Sequence, residues 1–97
     1  MTIQEFQKRI EEIYYKRDSA RGRDRTFMWF VEEVGELSRA LARPHNDDGP
    51  QNLREEFADV LAWLATLASL EGISLEEVAI EKYVDGCPRC GEIPCQC

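Results

Sequence analysis

Two stretches decide the fold: residues 26–43, TFMWFVEEVGELSRALAR, and residues 53–70, LREEFADVLAWLATLASL. In the first, Phe27, Phe30, Val34, Leu37 and Leu41 recur at steps of three and four, the apolar stripe of an amphipathic helix. With Glu33 set at zero on a helical wheel, Leu37, Phe30, Leu41 and Val34 fall at about 40° to 100° and Glu36 at about 300°. The second stretch repeats the pattern. With Glu56 at zero, Val60, Leu53, Leu64 and Phe57 fall at about 40° to 100° and Asp59 at about 300°. Each helix therefore carries an apolar stripe with two acids along the same flank. Packed antiparallel, as a short connection favours, they bring four carboxylates to the rim of one core.

Outward from this pair, the spacing predicts a helix over residues 2–16. Thr2 and Glu5 form a capping box, and Ile3, Phe6, Ile10, Ile13 and Tyr14 form the stripe. Residues 17–25 are polar and basic and contain Gly22, so they read as a loop. Pro44 stops the second helix, and residues 45–50 read as a turn-rich connection in which the lone His45 has no assigned role. Asn52 with Glu55 reads as a cap for the third helix, and Gly72 with Ile73 as its glycine C-cap. Ser74 and Glu77 open a fourth helix, with Leu75, Val78 and Ala79 facing inward, that fades near Asp85 and Gly86. No strand pattern is present. The expected architecture is all-α: a four-helix domain over residues 1–85 and a cysteine tail over residues 86–97.

The 97-residue length makes one domain with a modest core. A composition 43% hydrophobic and 32% charged is that of a folded chain rather than a disordered one. A net charge of -7 argues against a nucleic-acid partner, which requires excess Lys and Arg. The start MTIQEFQKRIEE is polar, and the nearly apolar run over residues 60–70 is about half a membrane span. A cytoplasmic location without a membrane partner is expected.

Four acids at a half-buried rim repel one another unless cations neutralise them. Hard oxygen ligands without paired histidines suit Mg²⁺ or Mn²⁺ rather than zinc. Acids are common on solvated helix faces, and Glu11, Glu12, Glu76, Glu77 and Glu81 are assigned there.

Glu32-Glu33-Val34-Gly35-Glu36, followed after nineteen residues by Glu56-Phe57-Ala58-Asp59, resembles the EExxE…ExxD signature of the MazG-like pyrophosphohydrolases. These belong to the all-α NTP pyrophosphatase superfamily, with the helical dUTPases and the phosphoribosyl-ATP pyrophosphohydrolases. Leu37, Ala40, Leu41, Val60 and Leu61 match apolar positions of the family. The resemblance implies metal ligands at Glu33, Glu36, Glu56 and Asp59, with Glu32 assisting as an orienting group or a base. It implies cleavage of a nucleoside triphosphate between the α and β phosphates, giving the monophosphate and pyrophosphate. Divalent ions suit that chemistry by bridging phosphate oxygens and acidifying water, and a carboxylate, Glu33 or Glu32, can take the proton.

Arg21, Arg23 and Arg25 before the second helix, and Lys82 on the fourth, are candidate triphosphate contacts. Trp29 and Trp63 lie at about 320° and 340° on their wheels, between acids and stripe, where a base can stack. Core or subunit packing is the plainer reading for at least one of them.

The four cysteines, Cys87, Cys90, Cys95 and Cys97, all fall within the last eleven residues. Cys87-Pro-Arg-Cys90-Gly91 looks like a zinc knuckle, and Cys95-Gln-Cys97 supplies a second pair for tetrahedral, structural Zn²⁺. The short gap between the pairs leaves a site shared between chains open.

Two rivals stand beside the triphosphate hydrolase: a dUTP or phosphoribosyl-ATP hydrolase, and a non-catalytic helical module with a zinc clip. Residues 60–70 carry no charge on any face, and Leu61 and Trp63 point in nearly opposite directions. A homodimer or homotetramer that completes the bundle is therefore expected, as the resemblance also implies.

Overall fold

In the computed structural model, which describes residues 1–43 and 49–97, four helices follow one another: α1 (Ile3–Arg21), α2 (Arg23–Ala42), α3 (Gly49–Leu70) and α4 (Leu75–Tyr83). No strand occurs among the described residues, so the all-α class is borne out. The expected boundaries hold at the capped ends. Glu5 N–H donates to Thr2 Oγ1 and Thr2 N–H to Glu5 Oε1, both at 3.0 Å, completing the capping box. At the end of α3, Ile73 N–H donates to Ala68 O at 2.8 Å and Gly72 N–H to Ser69 O at 3.1 Å, with Gly72 at φ +69°. This is the paired Schellman arrangement, which requires a left-handed residue that glycine adopts without penalty. Ser74 then caps α4 by accepting from Glu77 N–H at 3.2 Å, and α3 and α4 diverge by 96°.

The expected loop over residues 17–25 is overturned. α1 continues to Arg21 and α2 starts at Arg23, so Gly22 alone, at φ +84°, makes the corner. Within this helical segment Asp18 and Arg21 turn inward, while Arg17, Ser19, Arg23, Asp24 and Arg25 stay exposed. Asp18 is buried, accepting from Thr66 Oγ1 of α3 at 3.0 Å and pairing with Arg21 at 3.1 Å. Thr26, the largest fully buried side chain, donates to Gly22 O at 2.7 Å and accepts from Arg21 Nη1 at 3.3 Å.

A second correction concerns the start of α3, which is at Gly49 rather than residue 53; Asn52 lies within the helix and does not cap it. Pro50 suits that first turn, where its missing N–H costs nothing. Pro44 and His45 lie outside the described residues. No single helix among the described residues is long and apolar enough to cross a membrane.

α2 and α3 make the most extensive helix pair, α1 lies across α3, and α4 rests on α1. Gln7 of α1 joins these parts. Its amide donates to Ser69 Oγ at 3.0 Å and Ile73 O at 2.8 Å, and its Oε1 accepts from Leu75 N–H at 2.9 Å. Of the stripe expected on α1, Ile10 is buried, whereas Ile3, Ile13 and Tyr14 are exposed. The stripes of α2 and α3 are likewise only partly covered: Phe27, Val34, Leu41, Phe57 and Leu64 remain exposed, as does Leu61 beside the α3 stripe.

Candidate active site

The i, i+3 spacing within each of the two acid pairs places both members along one flank of their helix, and the pairing of α2 with α3 sets the flanks together. One carboxylate oxygen from each of Glu33, Glu56 and Asp59 lies within 4.8 Å of the other two. Glu36 stands beside Glu33 and Glu56 and acts on the charge of both. Burial first, then the negative charge of Glu36, push Glu33 up to about 7, with Asp59 and Glu56 adding to the effect. Burial likewise leads in raising Glu56, followed by Glu36 and Asp59.

Glu33 Oε2 and Glu56 Oε2 are buried and meet no hydrogen-bond donor among the described residues. Buried acceptors normally find partners, because an unpaired one forfeits its hydration without return. Two such oxygens, in a cluster whose own charges drive protons on, fit a divalent cation as the missing partner. The three carboxylates can hold a metal ion.

Beyond Asp59 the site opens into a cavity of about 200 Å³ between α1 and α3, lined in part by Tyr14, Arg17, Arg21, Trp63 and Thr66. Trp63 stacks on Trp29 with ring centroids 6.3 Å apart and planes at 17°, and the Arg21 guanidinium lies 4.9 Å from the Trp63 ring. The two tryptophans thus bridge α2 and α3 beside the acids. Tyr14 and Arg17, read from sequence as stripe and loop, are cavity residues. Their signal is legible only once α1 is known to run on to Arg21.

The family model of the MazG nucleotide pyrophosphohydrolase domain matches residues 21–91. The chain belongs to this family. Comparison with curated proteins gives no match. The MazG span contains α2, α3 and α4, both acid pairs and both tryptophans, and it runs on through Cys87 and Cys90 to Gly91. Nucleotide pyrophosphohydrolysis is the activity of the family, and a nucleotide is the corresponding substrate class.

The remaining candidates are placed unevenly. Glu32 is exposed and stands outside the three-acid cluster, lining a shallow groove with Arg25, Met28 and Trp29. Arg21 is held by Asp18 and Thr26. Arg23 is exposed and pairs with Asp24 at 3.4 Å and Glu71 at 3.5 Å. Lys82 lies over the ring of its neighbour Tyr83 at 5.7 Å.

The four tail cysteines converge: their sulfurs all lie within 4.8 Å of one another, which can hold a metal ion. Backbone amides of Cys90 and Arg89 hold the Cys87 thiol down at about 6. Amides of Gln96 and Glu92 lower Cys90, whereas the crowding of the other sulfurs pushes Cys97 up to about 11.

Proposed function

We propose that this MazG protein hydrolyses nucleoside triphosphates to the monophosphate and pyrophosphate, using Mg²⁺ or Mn²⁺ held by Glu33, Glu36, Glu56 and Asp59. The observation that carries the reading is the pair of buried, unpartnered oxygens on Glu33 and Glu56, within the cluster these two form with Asp59. A divalent cation bound there supplies charge neutralisation for the triphosphate and acidifies the attacking water. The chain does the rest. A carboxylate of the cluster orients the water toward the α-phosphorus and takes its proton. Glu33, within the cluster, or Glu32, exposed on the adjoining face, is the acceptor. The cavity beyond Asp59 receives the nucleoside, with Trp63 and Trp29 offering apolar ring surface. Arg23, Arg25 and Lys82 are the candidate cations for the phosphates, while Arg21, committed to Asp18, positions the Trp63 ring.

The reading includes a homo-oligomer. The chain exposes 7463 Å², against ~5,700 Å² expected for a compact monomer of its 11.2 kDa. Its radius of gyration is 15.8 Å, against ~12.5 Å for that length. A second copy laid over the half-open stripes of α2 and α3 covers Phe27, Val34, Phe57 and Leu64. The cytoplasm is the compartment we assign, where the tail thiols stay reduced.

Four single substitutions test the site: Glu33→Gln, Glu36→Gln, Glu56→Gln and Asp59→Asn. Each abolishes turnover with the fold intact, and metal-free stability holds or rises because repulsion is relieved. Near-normal turnover in any two of them removes the assignment.

A further inference from the structure

We propose that the four cysteines of a single chain close around one Zn²⁺, and that residues 86–97 fold as a lobe only when the ion is bound. The proposal is independent of the nucleotide chemistry. Four thiolates bound at ~2.3 Å from zinc stand ~3.8 Å from one another at the corners of a tetrahedron. Here Cys87 Sγ lies 3.7 Å from Cys97 Sγ and 3.5 Å from Cys95 Sγ, and all four sulfurs fall within 4.8 Å. These separations are too long for disulfide bonds and close to the edges of that tetrahedron. All four corners are filled from one chain, which leaves no position for a partner's ligand or for water. The site is therefore intrachain and structural rather than shared or catalytic.

The backbone is shaped around the sulfurs. Gly91 N–H donates to Cys87 O at 2.7 Å with Gly91 at φ +74°, closing the knuckle turn. Gln96 N–H points to Cys90 Sγ and Cys97 N–H to Cys95 Sγ, both at 3.4 Å. Amides aimed at sulfur stabilise thiolate, the form a metal takes. Cys87 N–H donates to Glu92 O at 3.1 Å, folding the second arm back over Gly86. A Cβ on Gly86 would meet Ile93 Cγ1 at 2.8 Å and the carbonyls of Glu92 and Gly91 at 3.1 Å. With φ at +114° as well, only glycine fits there.

This lobe has no apolar core. No residue from 86 to 97 is fully buried; only Gly86, Cys87 and Cys90 are half-buried, and Ile93 is 79% exposed. Among the described residues, the hydrogen bonds made by Cys87 to Cys97 are all to one another. A dozen residues without a core do not repay their conformational entropy, so metal binding has to supply the folding free energy. Zinc is favoured over iron because its filled d shell imposes no geometric preference of its own, which suits the tight Cys95-Gln96-Cys97 arm.

The test uses the full-length protein purified without chelator. Elemental analysis should find one zinc per chain, retained on dilution, and Co²⁺ exchanged into the site should give the spectrum of a tetrahedral tetrathiolate. Trypsin should spare the exposed Arg89 in the zinc form and cut there once the ion is removed. Gly86→Ala, which keeps every thiol, should weaken zinc binding about tenfold or more. No zinc, half an ion per chain, iron as the resident metal, an unchanged affinity in Gly86→Ala, or a tail equally resistant to trypsin with and without metal would overturn the proposal.

Discussion

Thr66 of α3 donates to Asp18 of α1 across 48 residues of sequence, at 3.0 Å, and the same carboxylate pairs with Arg21, whose guanidinium lies over Trp63. One buried acid therefore joins the helix that carries none of the clustered acids to the wall of the cavity. Removing it leaves the half-buried Arg21 without its countercharge. Asp18→Ala should lower stability by roughly 3 kcal/mol, read by denaturant unfolding at constant m. Asp18→Asn, which keeps a group able to meet Thr66, should cost less.

Gln7 is a comparable clamp at the other end of α1. Its amide serves Ser69, Ile73 and Leu75, the residues that carry the chain from α3 into α4. Gln7→Ala strands Ile73 O and Leu75 N–H and should cost about 1–3 kcal/mol. Hydrogen exchange at Leu75 should rise before exchange in α2 does, since the hydrogen bonds of Gln7 go to Ser69, Ile73 and Leu75 and not to α2.

The acid cluster makes metal-free stability depend on pH in a direction opposite to that of most carboxylates. Glu33 sits at about 7 in the folded protein against an ordinary value of 4.5, and Glu56 is raised as well. The native state thus holds protons that the unfolded chain has released. The stabilisation is fully present below 4.5 and is lost as pH rises through about 7. Melting temperatures in Mg²⁺-free buffer should fall between pH 5 and pH 8 by this contribution, and Glu33→Gln should flatten the curve. Mn²⁺ affinity should run the other way, strengthening as pH rises and the cluster deprotonates.

Assembly is checked by light scattering at low micromolar concentration, where the mass should be that of a dimer or a larger closed oligomer. Leu61→Glu, a charge placed on the exposed apolar surface of α3, should shift the mass toward the monomer. A wild-type monomer with full activity would show that these faces need no partner.

How much of this was legible in the sequence follows from where each signal resides. The acids were readable because i, i+3 spacing fixes their flank within one helix, and the caps at Thr2, Ser74 and Gly72 because they are local. Asp18 and Gln7 were not readable: their burial is set by Thr66, and by Ser69 and Ile73, on helices distant in sequence. Nothing local marks Asp18 as buried, so the polar, Gly22-containing residues 17–25 read as a loop and the place of Arg17 at the cavity stayed hidden. The stripes of α2 and α3 were legible as apolar faces, but the residues buried on these helices are Thr26, Ala40, Ala65, Thr66 and Ala68, off the stripes, while Phe27, Val34, Leu41, Phe57 and Leu64 stay exposed.

The central claim, a metal-assisted cut between the α and β phosphates, is tested most directly by ³¹P NMR of the products. A panel of ribo- and deoxynucleoside triphosphates would be incubated with the protein and Mg²⁺. At least one should be converted to monophosphate and pyrophosphate in equal amounts, with no reaction when the metal is omitted or when Glu56→Gln replaces the wild type. Release of orthophosphate with the diphosphate, or no consumption of any triphosphate by folded, metal-supplied protein, would contradict the account.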